Sequence, residues 1–239
     1  MPRYPVEEAL LREPNLWVPG KKPVGPVKID WEHPITANLA GIYLLNSPAI
    51  HNLVTGAVTT MPATEGVIVR GNAYFERATG AADGHFIDLY SDSIMPAGTI
   101  MLNNFGPSAT TGWIFAEIGE ASEWSVNTNI PNNRFQSAIN GSIWYDQPSH
   151  TELTNDNSIL SWSWDVDANT ERHISTTART TRSVSISQPT NAQIKIGARF
   201  NYDDLQAGTL YYMYFWNRFI TDAEETAIRN DPYQILMPA

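Results

Sequence analysis

Paired carboxylates are the residues of this chain whose spacing comes nearest to enzymatic chemistry. Glycosidases use two carboxyl groups, and positions i and i+2 of a strand place such groups on one face at the separation that suits the retaining mechanism. The closest string is 117–123, E-I-G-E-A-S-E, which has Gly119 where the second carboxylate is needed. We therefore expect the chain not to be an enzyme, and we keep glycoside hydrolysis through Glu117 as an alternative.

A second carboxylate-rich segment has the spacing of a calcium loop. Asp165, Asp167 and Asn169 occupy positions 1, 3 and 5 of such a loop, and Ca²⁺ prefers oxygen ligands. Thr170 and Thr176 stand where an EF-hand requires Gly and Glu, so an EF-hand is excluded. The same residue types favour a simple hairpin turn, so a Ca²⁺ site and a plain turn both remain open.

Tryptophan and asparagine suggest glycan binding as a further chemistry. The chain has 8 Trp, and sugars stack on exposed aromatic rings. Trp124 and Trp144, with Asn129 and Asn132 of an Asn-rich loop, are the candidate glycan-binding residues. The alternative is that these tryptophans belong to the core and that the loop is simply solvated.

Composition excludes several other classes. The chain has 239 residues, 42% of them hydrophobic, and no Cys, which removes disulfides and thiolate chemistry. Its net charge of −10 argues against a nucleic-acid partner. No apolar run is long enough to cross a membrane, and no secretory signal is visible at the start. The five His residues match no zinc or catalytic motif.

The elements that must position these residues are short strands. From Trp31 onward, apolar and polar residues alternate in segments separated by Gly, Asn, Pro and Asp clusters, which is typical of a sandwich or barrel. In the segment 159–166, Ser161 and Ser163 alternate with Trp162 and Trp164, which predicts one polar and one apolar face. The pair 140–141, Asn-Gly, predicts a hairpin turn.

One helix is expected near the end of the chain. Thr221 and Glu224 fit a capping box, in which the N-cap hydroxyl and the third helical residue bond to each other's backbone. Pro232 ends the helix, because proline disfavours helical geometry in the residue before it.

The first 30 residues differ from the rest. They hold six prolines, which prevent a central strand or a long helix, and they are slightly basic, whereas the remainder is acidic. We interpret residues 1–30 as an extended anchoring arm and residues 31–239 as one domain. Leu16, Trp17, Lys21 and Lys22 are the residues we expect to dock it on a particle; packing against its own domain is the alternative.

Two stretches resemble a known family. The segment 208–224, GTLYYMYFWNRFITDAE, resembles the closing strand and helix of concanavalin A-like (laminin G-like) jelly-roll domains. The segment 194–199, IKIGAR, is similar to the strand that precedes it. The resemblance implies an all-β, concanavalin A-like jelly-roll sandwich of two antiparallel sheets, with one short C-terminal helix and an extended N-terminal arm.

A narrower resemblance involves both ends of that domain. The segments 31–46 and 231–239 look like the opening and closing motifs of a phage-encoded subgroup. This implies a non-enzymatic bacteriophage virion structural protein, displayed on the capsid or a fibre. It would be made in the host cytoplasm and located on the virion surface, and its partners would be capsid, fibre or tail proteins, with self-association also expected.

Two alternatives stay open at this point. The first is a carbohydrate-binding, lectin-like module that adheres to host or environmental glycans. The second is a glycoside hydrolase. We expect no cofactor other than the candidate Ca²⁺.

Overall fold

The computed structural model describes most of the chain from Pro26 onward. The described residues are 26–44, 49–60, 67–69, 72–75, 87–90, 96–105, 116–118, 124–129, 134–139, 143–147, 158–175, 178–187, 194–196 and 208–239. The following statements on structure concern these ranges.

Almost all elements of the described ranges are strands. They are β1 (Val27–Ile29), β2 (Leu39–Leu44), β3 (Ala49–His51), β4 (Val58–Thr60), β5 (Val67–Val69), β6 (Asn72–Phe75), β7 (Ile87–Tyr90), β8 (Ala97–Phe105), β9 (Ala116–Ile118), β10 (Trp124–Asn129), β11 (Arg134–Ile139), β12 (Ile143–Gln147), β13 (Ser158–Asp165), β14 (Thr170–Ile174), β15 (Arg179–Ser183), β16 (Ile194–Ile196), β17 (Gly208–Trp216) and β18 (Leu236–Pro238). A 3₁₀ turn covers Pro34–Thr36, and the α-helix α1 covers Asp222–Asn230.

The strands form two large sheets and two small ribbons. The eight-stranded sheet has the order β15-β14-β13-β8-β17-β6-β5, with β2 also paired to β17. The six-stranded sheet has the order β12-β11-β10-β9-β16-β7. Strands β10, β11 and β12 form an antiparallel meander, as the predicted Asn-Gly hairpin between β11 and β12 requires. The prediction of an all-β sandwich of two antiparallel sheets with one short C-terminal helix is confirmed.

Three tryptophans pack the two large sheets together. Trp124 of β10 meets Trp162 and Trp164 of β13 edge-on, with ring centroids 6.0 and 5.6 Å apart, and all three side chains are fully buried. Edge-to-face aromatic pairs contribute about 0.5–1.5 kcal/mol beyond the burial of their area. Gly98 lies opposite Trp164 in the β8–β13 register, and a Cβ placed there would be 2.2 Å from the indole. Only glycine leaves room for this ring.

Strand β13 of the eight-stranded sheet is buried on both faces. Ser161 and Ser163 alternate with Trp162 and Trp164, so they lie on the face turned away from Trp124, yet both serines are fully buried. The two-faced pattern predicted for this strand is therefore confirmed, while its polar face is enclosed. The hydroxyl of Ser163 is satisfied there by Thr99 of β8, at 2.9 Å.

The chain divides into two compact units. Of the described residues, one unit contains 26–39 together with Ile220–Ala239, and the other contains those between Ala40 and Phe219, which include both large sheets. In the smaller unit β1 pairs antiparallel with β18, and Ile29 lies opposite Leu236. The last residues of the predicted arm thus form an ordinary strand, and residues 1–25 lie outside the described ranges.

Helix α1 begins with the predicted capping box. The amide of Glu224 donates to Oγ1 of Thr221 at 3.2 Å, and the amide of Thr221 donates to Oε2 of Glu224 at 2.8 Å. Farther along the helix, Nε of Arg229 donates to Oε1 of Glu225 at 2.7 Å, which neutralises a carboxylate that is only 1% exposed. Among the described residues, no helix has the length and hydropathy to span a membrane.

Candidate functional site

In the part of the chain that the structure describes, a carboxylate in the interior of the sandwich is surrounded by polar partners. Glu171 of β14 is fully buried and points toward the six-stranded sheet. Its carboxylate accepts from Oγ of Ser137 at 2.9 and 3.0 Å and from Nε1 of Trp162 at 3.3 Å. Arg182 of β15 pairs with it, and Nε2 of His173 lies 3.4 Å from Oε2.

Strand register brings this cluster together. Glu171 is directly opposite Arg182 in the β14–β15 ladder, and His173 is opposite Trp162 in the β13–β14 ladder. Residues opposite each other in a ladder share a face, so all four point inward. Ser137 joins them from β11 of the other sheet, and Nη2 of Arg182 donates to its hydroxyl at 2.8 Å.

This cluster links the two sheets through hydrogen bonds between buried side chains. Burying a charge is costly unless it is paired and hydrogen-bonded, and Glu171 meets that requirement through Arg182, Ser137 and Trp162. With no exposed surface, its carboxylate does not reach a substrate in this conformation. Its role in this conformation is structural, because its bond to Ser137 aligns β11 with β14.

A buried cation lies on the other face of the eight-stranded sheet. The guanidinium of Arg172 stacks on the ring of Phe219, 4.5 Å from its centroid, and Nη2 is 3.4 Å from Oγ of Ser163. Arg172 is 4% exposed. Thr99 extends the row by donating to the backbone oxygen of Arg218 at 2.9 Å.

The candidate calcium ligands form the turn between β13 and β14. Oδ1 of Asp165 accepts from the amide of Ala168 at 2.8 Å, and Oδ1 of Asn169 accepts from the amide of Ile186 at 3.3 Å. Asn169 has φ 50°, a left-handed conformation that asparagine tolerates in turns. Asp167 is exposed. The part of the chain that the structure describes contains no group of three or more His, Asp or Glu arranged around a metal position.

The other carboxylate singled out in the sequence lies on a short central strand. Glu117 of β9 is in register with Ser125 of β10 and with Lys195 of β16. It is therefore flanked by strands on both sides within the six-stranded sheet.

The predicted glycan-binding residues do not share one location. Trp124 is a core residue, since it is fully buried and its Nε1 donates to the backbone oxygen of Ser187 at 3.0 Å; it has no face to offer a sugar, and we correct that prediction. Asn129 ends β10, and Trp144 lies in β12, with β11 between the two strands. Asn132 lies outside the described residues, as do Leu16, Trp17, Lys21 and Lys22.

An exposed tryptophan that the sequence analysis did not single out lies in the smaller unit. Trp31 follows β1 and is 57% exposed, the highest value among the large hydrophobic residues that the structure describes. Its backbone is held: its carbonyl oxygen accepts from Oγ1 of Thr36 at 3.3 Å, and the neighbouring amide of Asp30 donates to the oxygen of Ile235 at 2.9 Å. Local alternation did not indicate this exposure, because Trp31 lies two residues after buried Ile29 and would share its face if the strand continued.

Polar groups surround Trp31 in the sequence and are fixed by the same turn. Oδ1 of Asp30 accepts from the amide of Glu32 at 3.1 Å, and Nδ1 of His33 accepts from the amide of Ile35 at 3.3 Å. An imidazole whose Nδ1 accepts carries its proton on Nε2 in the neutral form, so Nε2 is a donor. We call Asp30, Trp31, Glu32 and His33 the Trp31 turn.

The smaller unit also contains a buried phenol. Tyr233 is 6% exposed, and burial, with a smaller contribution from the negative charge of Asp231, raises its pKa to about 12. Its hydroxyl therefore stays protonated at neutral pH.

Comparison with known proteins gives similarity in structure only. No known protein family matches the sequence, and no curated protein matches it. The Trypanosoma rangeli sialidase in complex with sialic acid aligns with a TM-score of 0.63 at 10% identity, over 84% of this chain and 34% of that chain. A mutant of that sialidase displaying trans-sialidase activity aligns with a TM-score of 0.59 at 10% identity, over 79% of this chain and 32% of that one.

These matches correct two expectations. Sialidases are glycoside hydrolases, so the expectation of a non-enzymatic virion structural protein is contradicted, as is the expectation that the chain is not an enzyme. The β-sandwich implied by the family resemblance is confirmed, whereas its phage-encoded laminin G-like type is not. The chain spans about a third of the length of the sialidases that it matches.

Proposed function

We propose that this chain is a glycan-binding β-sandwich domain of the kind that forms part of glycoside hydrolases. The observation that carries the proposal is the alignment of 84% of the chain with a third of a sialidase. A fold alone does not confer a function. The proposal therefore also rests on the exposed Trp31 and on the net charge of −10, which argues against a nucleic-acid partner.

The interior of the sandwich favours binding at its surface. Glu171 and Ser137 are fully buried, Arg182 pairs with Glu171 from a position that is 19% exposed, and the tryptophans between the sheets are fully buried. Such a core is a rigid support, and recognition takes place on the turns and edges that a rigid support positions. A ligand that binds by stacking on an aromatic side chain and by a few polar contacts suits that arrangement.

The experiment is a binding screen with the purified full chain. A glycan array that holds neutral, amino and sialylated oligosaccharides would be followed by titration calorimetry with each hit. We expect binding with dissociation constants in the micromolar to millimolar range, as for a surface site with few contacts. A chain that binds no member of the array would contradict the proposal.

Hydrolysis is the second candidate function, and the likeness to sialidases is the observation that favours it. Its test is release of sialic acid from a fluorogenic sialoside and of reducing ends from a polysaccharide panel that includes β-glucans. The Glu117→Gln variant is the control for the carboxylate that the sequence singles out. Release that the variant abolishes would establish hydrolysis, whereas a chain without activity on either substrate set would eliminate it.

A further inference from the structure

Resting on the proposed glycan binding, we infer that the Trp31 turn is the sugar-stacking site and that it takes a sugar unit without a carboxylate. The inference goes beyond the likeness to sialidases, because it names a position and a ligand class that differs from sialic acid.

The first step of the argument is the exposure of the indole. Leaving a large aromatic side chain exposed forgoes the stabilisation that its burial would give. Trp31 is 57% exposed, whereas Trp124, Trp162, Trp164 and Trp216 are all 0% exposed. The bond between Trp31 and Thr36 does not require tryptophan, because it uses the backbone carbonyl oxygen of Trp31, which every residue type has.

The second step is the rigidity of the turn. The amide of His33 donates to the oxygen of Asp30 at 3.2 Å, and the amide of Thr36 donates to the oxygen of His33 at 3.0 Å. These bonds add to those of Asp30 and His33 with the amides of Glu32 and Ile35. A platform whose backbone is already ordered loses little conformational entropy when a ligand binds.

The third step concerns the complementary polar groups. Sugars present hydroxyl groups that both donate and accept. A carboxylate provides several acceptor positions, of which Asp30 uses one for the amide of Glu32, and the side chain of Glu32 is exposed. Nε2 of His33 supplies a donor. Acceptors at the two residues next to Trp31 in the sequence, and a donor two residues after it, are the polar groups that the hydroxyls of a pyranose ring can bond to.

The fourth step is charge, which decides the class of sugar. The described residues of the smaller unit include six acidic side chains (Asp30, Glu32, Asp222, Glu224, Glu225 and Asp231) and two basic ones (Lys28 and Arg229). Arg229 is engaged with Glu225. A carboxylated sugar would be repelled at Asp30 and Glu32, whereas an ammonium group would gain from both carboxylates and from the face of the indole.

The test uses three trisaccharides that differ in charge. Triacetylchitotriose is neutral, chitotriose carries amines, and 6′-sialyllactose carries a carboxylate. Binding is followed by ¹⁹F NMR of the full chain labelled with 5-fluorotryptophan. The Trp31 resonance is assigned by its loss in Trp31→Phe, and the resonances of buried Trp124 and Trp162 serve as internal controls.

We expect the two uncarboxylated trisaccharides to shift the Trp31 resonance and leave those of the core tryptophans in place. Chitotriose should bind most tightly, and 6′-sialyllactose at least tenfold more weakly than the neutral probe. Trp31→Ala should weaken binding at least tenfold, and Trp31→Phe should retain most of it. Glu32→Gln should reduce the advantage of chitotriose over its neutral form. Val58→Ala, at a residue 52% exposed in the other unit, should have no effect.

The contrary outcomes separate this inference from the proposal beneath it. Glycan binding that leaves the Trp31 resonance unmoved and survives Trp31→Ala would overturn the site while preserving the proposed function. Binding of 6′-sialyllactose at Trp31 as tight as that of triacetylchitotriose would overturn the ligand class. Absence of binding to every probe and to the array would overturn the proposed function itself.

Discussion

The hydroxyl of Ser137 donates to both carboxylate oxygens of Glu171, at 2.9 and 3.0 Å, from one sheet of the sandwich to the other. Both side chains are fully buried. The pair therefore links β11 of one sheet to β14 of the other in the interior of the sandwich.

Ser137→Ala should destabilise the chain through the loss of this bond. Removing one partner of a buried hydrogen bond costs about 1–3 kcal/mol, because the remaining group stays desolvated. Urea unfolding would measure the change. Ser183→Ala, on an exposed position of β15, is the matched control and should lie within about 0.5 kcal/mol of the parent chain. Equal stabilities of the two variants would contradict a structural role for the bond.

Gly98→Ala should strain the contact between β8 and β13. The new Cβ would lie 2.2 Å from the Trp164 ring, so the indole or the strand must move, and overpacking of this kind costs about 1–3 kcal/mol. Thermal unfolding of Gly98→Ala, Trp164→Phe and the double variant would measure the coupling. We expect Gly98→Ala to cost less in the Trp164→Phe background; an equal cost in both would show that the ring is not what excludes the methyl group.

Thr221→Ala should weaken the start of α1. Loss of an N-cap side chain costs about 0.5–2 kcal/mol, and here the carboxylate of Glu224 also loses the bond from Oγ1 of Thr221, at 2.9 Å, while it keeps the bond from the backbone amide. Hydrogen exchange of the amide of Glu224 would report the loss locally. Thr226→Ala is the control within the same helix, because Oγ1 of Thr226 bonds only to the oxygen of Asp222, at 2.7 Å, and alanine has the higher helix propensity. Unchanged protection of Glu224 in Thr221→Ala would refute the cap.

Alkaline pH should destabilise the smaller unit through Tyr233. Its folded pKa of about 12 exceeds the unfolded value of 10.0, so the folded state holds the phenolic proton longer. The stabilisation is complete below pH 10 and is lost as the pH rises to 12, by about 2–3 kcal/mol in all. Unfolding free energies between pH 9 and pH 12 would measure it, with Tyr233→Phe as the comparison. A parent chain and a variant whose stabilities fall in parallel would contradict the prediction.

Local patterns in the sequence predicted the local structure well. Alternation at Ser161–Trp164 located β13 and its two faces, and Thr221 with Glu224 located the start of α1, because both signals depend only on neighbouring residues. The turn at Asp165–Asn169 had two open interpretations, and the structure engages Asp165 and Asn169 with backbone amides.

Burial was harder to predict because it depends on the partner sheet. No local sequence pattern distinguishes Trp124, which is buried against Trp162 and Trp164, from Trp31, which is 57% exposed. The inward position of Glu171 likewise depends on Ser137, which is 34 residues away in sequence. The function expected from the two end motifs was wrong, since short motifs at chain ends carry little information about what a whole domain binds.

Titration calorimetry of the full chain with triacetylchitotriose tests the central claim most directly. A saturable exotherm that Trp31→Ala abolishes and Val58→Ala leaves intact is the result that glycan recognition at the surface of this sandwich predicts. Heats no larger than dilution for triacetylchitotriose, and for every oligosaccharide of the array, would contradict it.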